Sequence, residues 1–168
     1  RRLRKRNFRY REGKFLAEGL QAVAEALRSS CEIECLLCDA RGIGALAAFA
    51  ETIGARSIPC FEVSDEVMAS LSGTVTPQGL IAVARMVHRD LEEVMGGAPS
   101  TLLIANRVRD PGNLGNMVRI ADAAGARGMV VCRESADLYN PKTVRSTVGS
   151  IFHLPLCVDA EIHETVRR

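Results

Sequence analysis

A chain of 168 residues can bury one large core or two small ones, and 47% hydrophobic with 25% charged side chains excludes the disordered and fibrous classes. No apolar run approaches the roughly 18 residues of a membrane helix, and Arg1-Arg2-Leu3-Arg4 lacks the apolar core of a signal peptide, so the expected compartment is the cytoplasm. The net charge of +2 hides an asymmetry: residues 1–14 carry eight Lys/Arg against Glu12 alone, a local +7 that leaves −5 on the rest.

Residues 1–14 read as a basic arm. Phe8 and Tyr10 lie among its cations, a composition suited to RNA: Arg4, Arg6 and Arg9 are expected to meet phosphates while the rings stack on bases. The plainer reading is a solvated tail. The acidic remainder argues for a localised RNA contact over general affinity for polyanions. No initiator Met is present, so the chain is expected to be part of a longer protein.

After the arm, Leu16, Leu20, Val23 and Leu27 have helical spacing and predict a helix over 15–27. A strand over 33–38, a helix around 45–53 closed by Gly54, and a strand over 57–63 follow. Ser64 is placed to cap a short helix reaching Leu71, and Thr76-Pro77-Gln78-Gly79 is a turn before the β-rich run 80–87. Residues 15–87 thus predict one alternating α/β unit. His88–Ser100, ending in Gly96-Gly97-Ala98-Pro99, reads as a connection.

A second alternating unit begins at Thr101. The strand 101–105 leads to Pro111-Gly112, and Asn113 is suited to cap the helix that follows. Leu114, Met117, Val118 and Ala121 give that helix one buried face, and Gly125 stands where a C-terminal glycine belongs. A strand over 128–132, a loop, a helix over 141–148 with Pro141 in its first turn, a strand over 154–158 and a helix starting at Glu161 complete the chain.

The six cysteines are expected to be reduced, buried thiols. Cys31-x3-Cys35-x2-Cys38 has the spacing of an iron–sulfur ligand set, but strand alternation turns Cys35 and Cys38 to opposite faces. His88, His153 and His163 share no motif spacing, and no metal set is expected.

The chemistry concentrates in RVRDPGNLGNMVRIADAAG, residues 107–125. A strand–turn–helix unit with polar residues at its C-terminal edge is where α/β proteins place sites. Arg119 follows Asn116 by three residues and shares its surface, with Asn113 at the helix mouth. Arg107 and Arg109 flank the same edge as candidate phosphate contacts. Arg145 and Ser146 precede Gly149-Ser150, a small-residue turn whose N–H groups suit an anion. Each has a plainer reading: a surface salt bridge for Arg119, a cap for Asn113, a solvated amide for Asn116, an ordinary helix end for Arg145 and Ser146. Gly112-x-x-Gly115 has the wrong spacing for a dinucleotide fold, and no acidic ribose ligand follows about 20 residues on.

Read in order, several stretches resemble the SpoU/TrmH class of RNA ribose 2′-O-methyltransferases in the knotted SPOUT superfamily. The basic lead-in to Phe15-Leu16-Ala17-Glu18-Gly19 and the turn 76–79 are similar to the two ends of that family's RNA-binding domain. Asp110-Pro111-Gly112-Asn113-Leu114-Gly115-Asn116-Met117-Val118-Arg119 resembles its first methylase motif, and PKTVRSTVGSIFHLP, residues 141–155, the segment that follows. The resemblance implies an α/β fold: an N-terminal L30e-like RNA-binding domain over 15–87, then the first part of a SPOUT methylase domain over 101–168. It implies S-adenosylmethionine-dependent 2′-O-methylation of RNA, ribosomal ahead of transfer RNA, a homodimer formed through the methylase domain, and catalytic roles for Arg119 and Asn113. A guanidinium stays protonated, so Arg119 is expected to orient the hydroxyl and grip phosphate in preference to acting as a base. The family's second and third motifs would follow Arg168, so no cofactor-binding residue is expected within these 168 residues, and the chain alone is not expected to turn over. A non-catalytic RNA-binding homologue, or a fragment lacking the cofactor site, is the alternative.

Overall fold

The computed structural model describes residues 1–74, 76–96 and 101–167. Val75, Arg168 and most of the expected Gly-Gly-Ala-Pro connection (97–100) lie outside the described residues. The chain divides into two units, Arg1–Met86 and Val87–Arg168, each with its own sheet.

The basic start does not trail as an arm. It forms a 3-10 turn, Arg2–Arg4, and helix α1 (Arg6–Glu12), closed by Gly13 in the left-handed conformation (φ 65°). Arg9 supplies the reason. It is 2% exposed, and its Nη1 donates to the carbonyls of Leu3 (2.9 Å) and Arg4 (2.8 Å), stitching the turn to the helix.

The helix expected from Phe15 begins later. Lys14–Glu18 is strand β1, with Phe15 and Ala17 fully buried between half-exposed neighbours, and helix α2 (Leu20–Arg28) starts beyond Gly19. The two-residue alternation Phe15–Ala17 prevails over the helical spacing of Leu16 and Leu20. Gly19, at φ 100°, makes the corner, and Gln78 Oε1 accepts from Leu20 N across it.

Strand β2 (Ile33–Cys38) falls where expected. The single helix expected around 45–53 is instead α3 (Ile43–Leu46), a 3-10 turn (Ala47–Phe49) and α4 (Ala50–Ala55). Only Leu46 is buried between 43 and 50, so no continuous apolar stripe holds one long helix. Strand β3 (Cys60–Glu62) is short, and α5 (Asp65–Leu71) is capped by Ser64, whose Oγ accepts from Val67 N. Strand β4 (Leu80–Arg85) completes a sheet ordered β1-β4-β2-β3, with β4 antiparallel to β1 and β2, and β2 parallel to β3.

In the second unit, part of the expected connection folds: Leu91–Met95 is helix α6. Its Val94 is fully buried against Val130, Cys132, Cys157 and Ala160, which draws the segment into this core. Strands β5 (Leu102–Ala105), β6 (Gly128–Cys132) and β7 (Leu156–Ala160) form a parallel sheet with β6 central and buried throughout. Helix α7 (Pro111–Ala123) connects β5 to β6, α8 (Pro141–Ser146) lies between β6 and β7, and α9 (Ile162–Arg167) follows. The helix expected over 141–148 stops at Ser146, because Val148 and Gly149 both turn left-handed (φ 51° and 98°). Tyr139 is fully buried, and its hydroxyl accepts from the backbone N–H of Val87 (2.9 Å) and His88 (2.8 Å).

Among the described residues all six cysteines are unbridged, no group of three or more His, Cys, Asp or Glu is arranged to hold a metal, and no helix is long and apolar enough to cross a membrane.

Candidate active site

The C-terminal edge of the parallel sheet is built from two loops. The segment after β5 is tied to the segment after β6 by Ala136 N donating to Val108 O (2.7 Å) and Val108 N to Ser135 Oγ (3.3 Å). Ser135 Oγ in turn reaches the carbonyl of Ala105 (3.3 Å).

Helix α7 leaves this edge at Pro111. Its cap is Asp110 and not Asn113: Asp110 Oδ1 accepts from Asn113 N at 2.8 Å. Pro111 explains the shift, because its fixed φ suits the first helical position and moves the cap to the residue before it. The other carboxylate oxygen, Oδ2, takes Lys142 Nζ at 2.8 Å. The Lys142 ammonium, and then the Asn113 N–H, hold the Asp110 carboxyl below the usual carboxylate range. Lys142 stands in the first turn of α8, where Asn140 is the cap and its Oδ1 accepts from Lys142 N (2.9 Å).

The two helices touch closely further along. A Cβ on Gly115 would lie 2.6 Å from Ser146 Cβ and closer still to the Thr143 carbonyl, so only glycine permits this approach. Leu114, Val118 and Ala121 bury the inner face of α7, leaving Asn113, Asn116 and Arg119 exposed. At about 100° per residue, Asn116 lies about 60° round the helix from each of the other two, so the three form one polar stripe. Among the described residues Arg119 makes no ion pair.

The other candidates divide. Arg107 is exposed, at φ 56°, and its Nε is 3.1 Å from Glu134 Oε2; Arg109 is exposed on the same loop. Arg145 is half-buried, and Ser146 Oγ donates back to the Lys142 carbonyl (2.9 Å). The turn beyond them offers less than expected, since Val148 N and Ser150 N already donate to the carbonyls of Arg145 and Thr147. In the first unit Arg4 and Arg6 are exposed, but Arg9 is buried and donates to the carbonyls of Leu3 and Arg4. The rings expected to stack on bases are covered from within: Arg2 and Arg11 lie over Phe8 (5.8 and 4.5 Å) and Arg6 over Tyr10 (5.1 Å).

Asp110, Lys142 and Asn140 were not expected from the sequence. For two of them the signal was there: Asp and Asn each immediately precede a proline that opens a helix.

Residues 1–82 match the MRM3-like substrate binding domain and residues 100–168 the SpoU rRNA Methylase family. The chain is 39% identical over 142 residues to the 23S rRNA (guanosine(2553)-2'-O)-methyltransferase RlmP of Bacillus subtilis, covering 84% of this chain and 53% of that protein. It is 33% identical over 153 residues to the 23S rRNA (uridine(2479)-2'-O)-methyltransferase of Streptomyces viridochromogenes, covering 89% and 52% respectively. Among solved structures, the AdoMet-bound rRNA methyltransferase from Sinorhizobium meliloti superposes with a TM-score of 0.85 at 30% identity, over 98% of this chain and 61% of that one. The chain spans about half the length of the curated relatives it matches.

Proposed function

The chain belongs to the SpoU rRNA methylase family, and from that premise we propose that the full-length protein methylates a ribose 2′-hydroxyl of ribosomal RNA with S-adenosylmethionine as donor. The observation that carries this reading is the exposed stripe Asn113–Asn116–Arg119, held on a helix whose start is fixed by Asp110 and Lys142.

Methyl transfer to a hydroxyl needs an electrophile, an oriented oxygen and a place for its proton. The donor's sulfonium supplies the electrophile. Arg119 orients the hydroxyl, stabilises the charge developing on its oxygen and grips a neighbouring phosphate through its fork of N–H donors. Asn113 and Asn116 hydrogen-bond the ribose from the same stripe. Arg107, Arg109 and Arg145 meet phosphates, with Ser146 beside them. The described residues at this edge are polar or charged, with Arg107, Arg133 and Lys142 paired to acids, and do not form the apolar slot that an adenosine needs. They do not fit the donor, and none is assigned to it.

The first unit serves as the RNA-binding domain. Its turn and α1 engage RNA by charge, through Arg4 and Arg6, because the Phe8 and Tyr10 faces are occupied by arginines. The same reading includes a homodimer through the second unit, with exposed Ile120 (56%) and Val148 (43%) among its contacts, and a protein that works in the cytoplasm.

The test is to map ribose 2′-O-methylation on ribosomal RNA before and after deletion of the gene. One position should lose its methyl group on deletion and regain it when the full-length protein is restored. An unchanged methylation map sinks the proposal.

A further inference from the structure

Two residues at the C-terminal edge adopt backbone that favours glycine. Arg107 (φ 56°) lies two residues beyond β5, and Glu134 (φ 66°) two residues beyond β6. A β-carbon is strained in this conformation, so each side chain is present at a cost to the fold. Neither is needed for packing, since the side chains are 67% and 57% exposed. The loops are already joined without them through Val108, Ser135 and Ala136. An ion pair this exposed adds little stability.

What the pair does achieve is electrostatic. Glu134 Oε2 lies 3.1 Å from Arg107 Nε, so a carboxylate sits against the guanidinium and offsets part of its charge at the edge. A phosphate bound to the same guanidinium would lie within a few ångströms of that carboxylate, and two anions on one cation repel. Arg109, two residues on, is exposed with no such counter-ion among the described residues.

We propose that Glu134 gates RNA binding: it holds Arg107 partly neutralised at the sheet edge until a backbone phosphate of the RNA takes its place. The inference rests on the reading of this edge as RNA-binding. The cost of displacing Glu134 falls on every RNA phosphate that takes Arg107, so the gate lowers phosphate-driven affinity at this point without touching the reacting ribose.

The test uses the full-length protein and two probes, poly(U) and unmethylated 23S rRNA transcribed in vitro, with binding followed across a salt titration. Glu134→Gln is expected to tighten poly(U) binding about threefold to tenfold and to steepen the salt dependence by about one phosphate contact. Arg107→Gly removes both the guanidinium and the strain. In that background Glu134→Gln should give no gain. An unchanged affinity and salt slope in Glu134→Gln overturns the gate, as does a gain that persists without Arg107. A role confined to holding the loops would lower the melting temperature and leave the salt slope alone, which also overturns it. If the wild-type protein binds neither probe, the RNA-binding reading fails first, and that outcome is separate from a wild type that binds while the variant does not differ from it.

Discussion

The Lys142 ammonium lies 2.8 Å from the Asp110 carboxylate and so joins the first turn of α8 to the cap of α7. Asp110 therefore works twice: one oxygen caps the helix that carries Arg119, the other anchors that cap to the neighbouring helix. The position of the polar stripe depends on both.

Replacing Asp110 separates the two roles. Asn caps almost as well as Asp but carries no charge, so Asp110→Asn should keep the helix start and lose the ion pair, whereas Asp110→Ala loses both and lowers the urea midpoint further. The pH dependence follows from the direction of the shift. The native carboxyl titrates below its unfolded counterpart, so its stabilising contribution is complete above about pH 4 and is lost as pH falls through the native value. Denaturation of the wild type between neutral pH and pH 2 should show this acid-side loss, and Asp110→Asn should show less of it. Parallel profiles would contradict the assignment.

Gly115 is a point of close approach between the same two helices, and two effects oppose each other there. Alanine favours a helix over glycine by roughly 0.5–1 kcal/mol, but a Cβ 2.6 Å from Ser146 Cβ forces the helices apart, at about 1–3 kcal/mol. The clash wins, so Gly115→Ala should destabilise by about 1–2 kcal/mol and reduce methyl transfer by moving Arg119. Gly44, also helical, has nothing within 4 Å of where its Cβ would stand, and Gly44→Ala should be neutral or slightly stabilising. Equal effects in thermal denaturation would remove the packing explanation.

The parallel sheet was the most legible part of the chain. Gly128–Cys132 is apolar throughout and is buried throughout, and Pro111 and Pro141 each mark a helix start. Period-2 and period-3.6 signals conflicted over 15–20, where Leu16 and Leu20 imitate a helix and Phe15 and Ala17 decide for a strand. The stripe on α7 was readable because all its members lie on one helix. The Asp110–Lys142 and Arg107–Glu134 pairs were not, because each joins segments about 30 residues apart that only the sheet brings together. Arg9 was misread for a related reason: composition makes every arginine in a basic stretch look solvated, and only packing shows which one is sealed.

Arg9 and its neighbours should therefore behave differently on substitution. Arg9→Ala removes two charge-assisted bonds from a buried guanidinium to the carbonyls of Leu3 and Arg4 and should destabilise the first unit by about 2 kcal/mol. Arg4→Ala and Arg6→Ala should leave stability nearly unchanged and weaken RNA binding, each reducing the salt dependence by about one contact. Thermal melts and salt titrations on the three variants distinguish these outcomes, and a stable Arg9→Ala that loses RNA binding would reverse the assignment.

Thiol chemistry should single out one cysteine. Burial pushes Cys31 up to about 11 and also raises Cys35, Cys38, Cys60, Cys132 and Cys157, so access decides, and Cys60 alone of the six is exposed, on β3. Brief iodoacetamide treatment of the native protein near pH 8 should modify Cys60 first, as read by peptide mass mapping. Rapid modification of Cys31 or Cys132 would mean that the cores around them open readily.

The sharpest prediction concerns Arg119. It is exposed, makes no ion pair among the described residues, and shares its stripe with Asn113 and Asn116, so the described fold does not require its guanidinium. Arg119→Ala in the full-length protein should melt as the wild type does and bind RNA within about tenfold, since other arginines carry most of the phosphate contacts. Methyl transfer should nevertheless fall by about 10²–10³, the usual cost of removing one donor from the oxygen on which charge develops. Arg119→Lys keeps the charge and loses the planar fork, so it should recover RNA affinity more fully than rate. A proton acceptor would give a different pattern: its loss would change the shape of the pH–rate profile, whereas loss of an orienting cation should lower the profile without shifting it. Single-turnover rates across pH with saturating RNA decide between them, and a normal rate for Arg119→Ala would remove Arg119 from the site altogether.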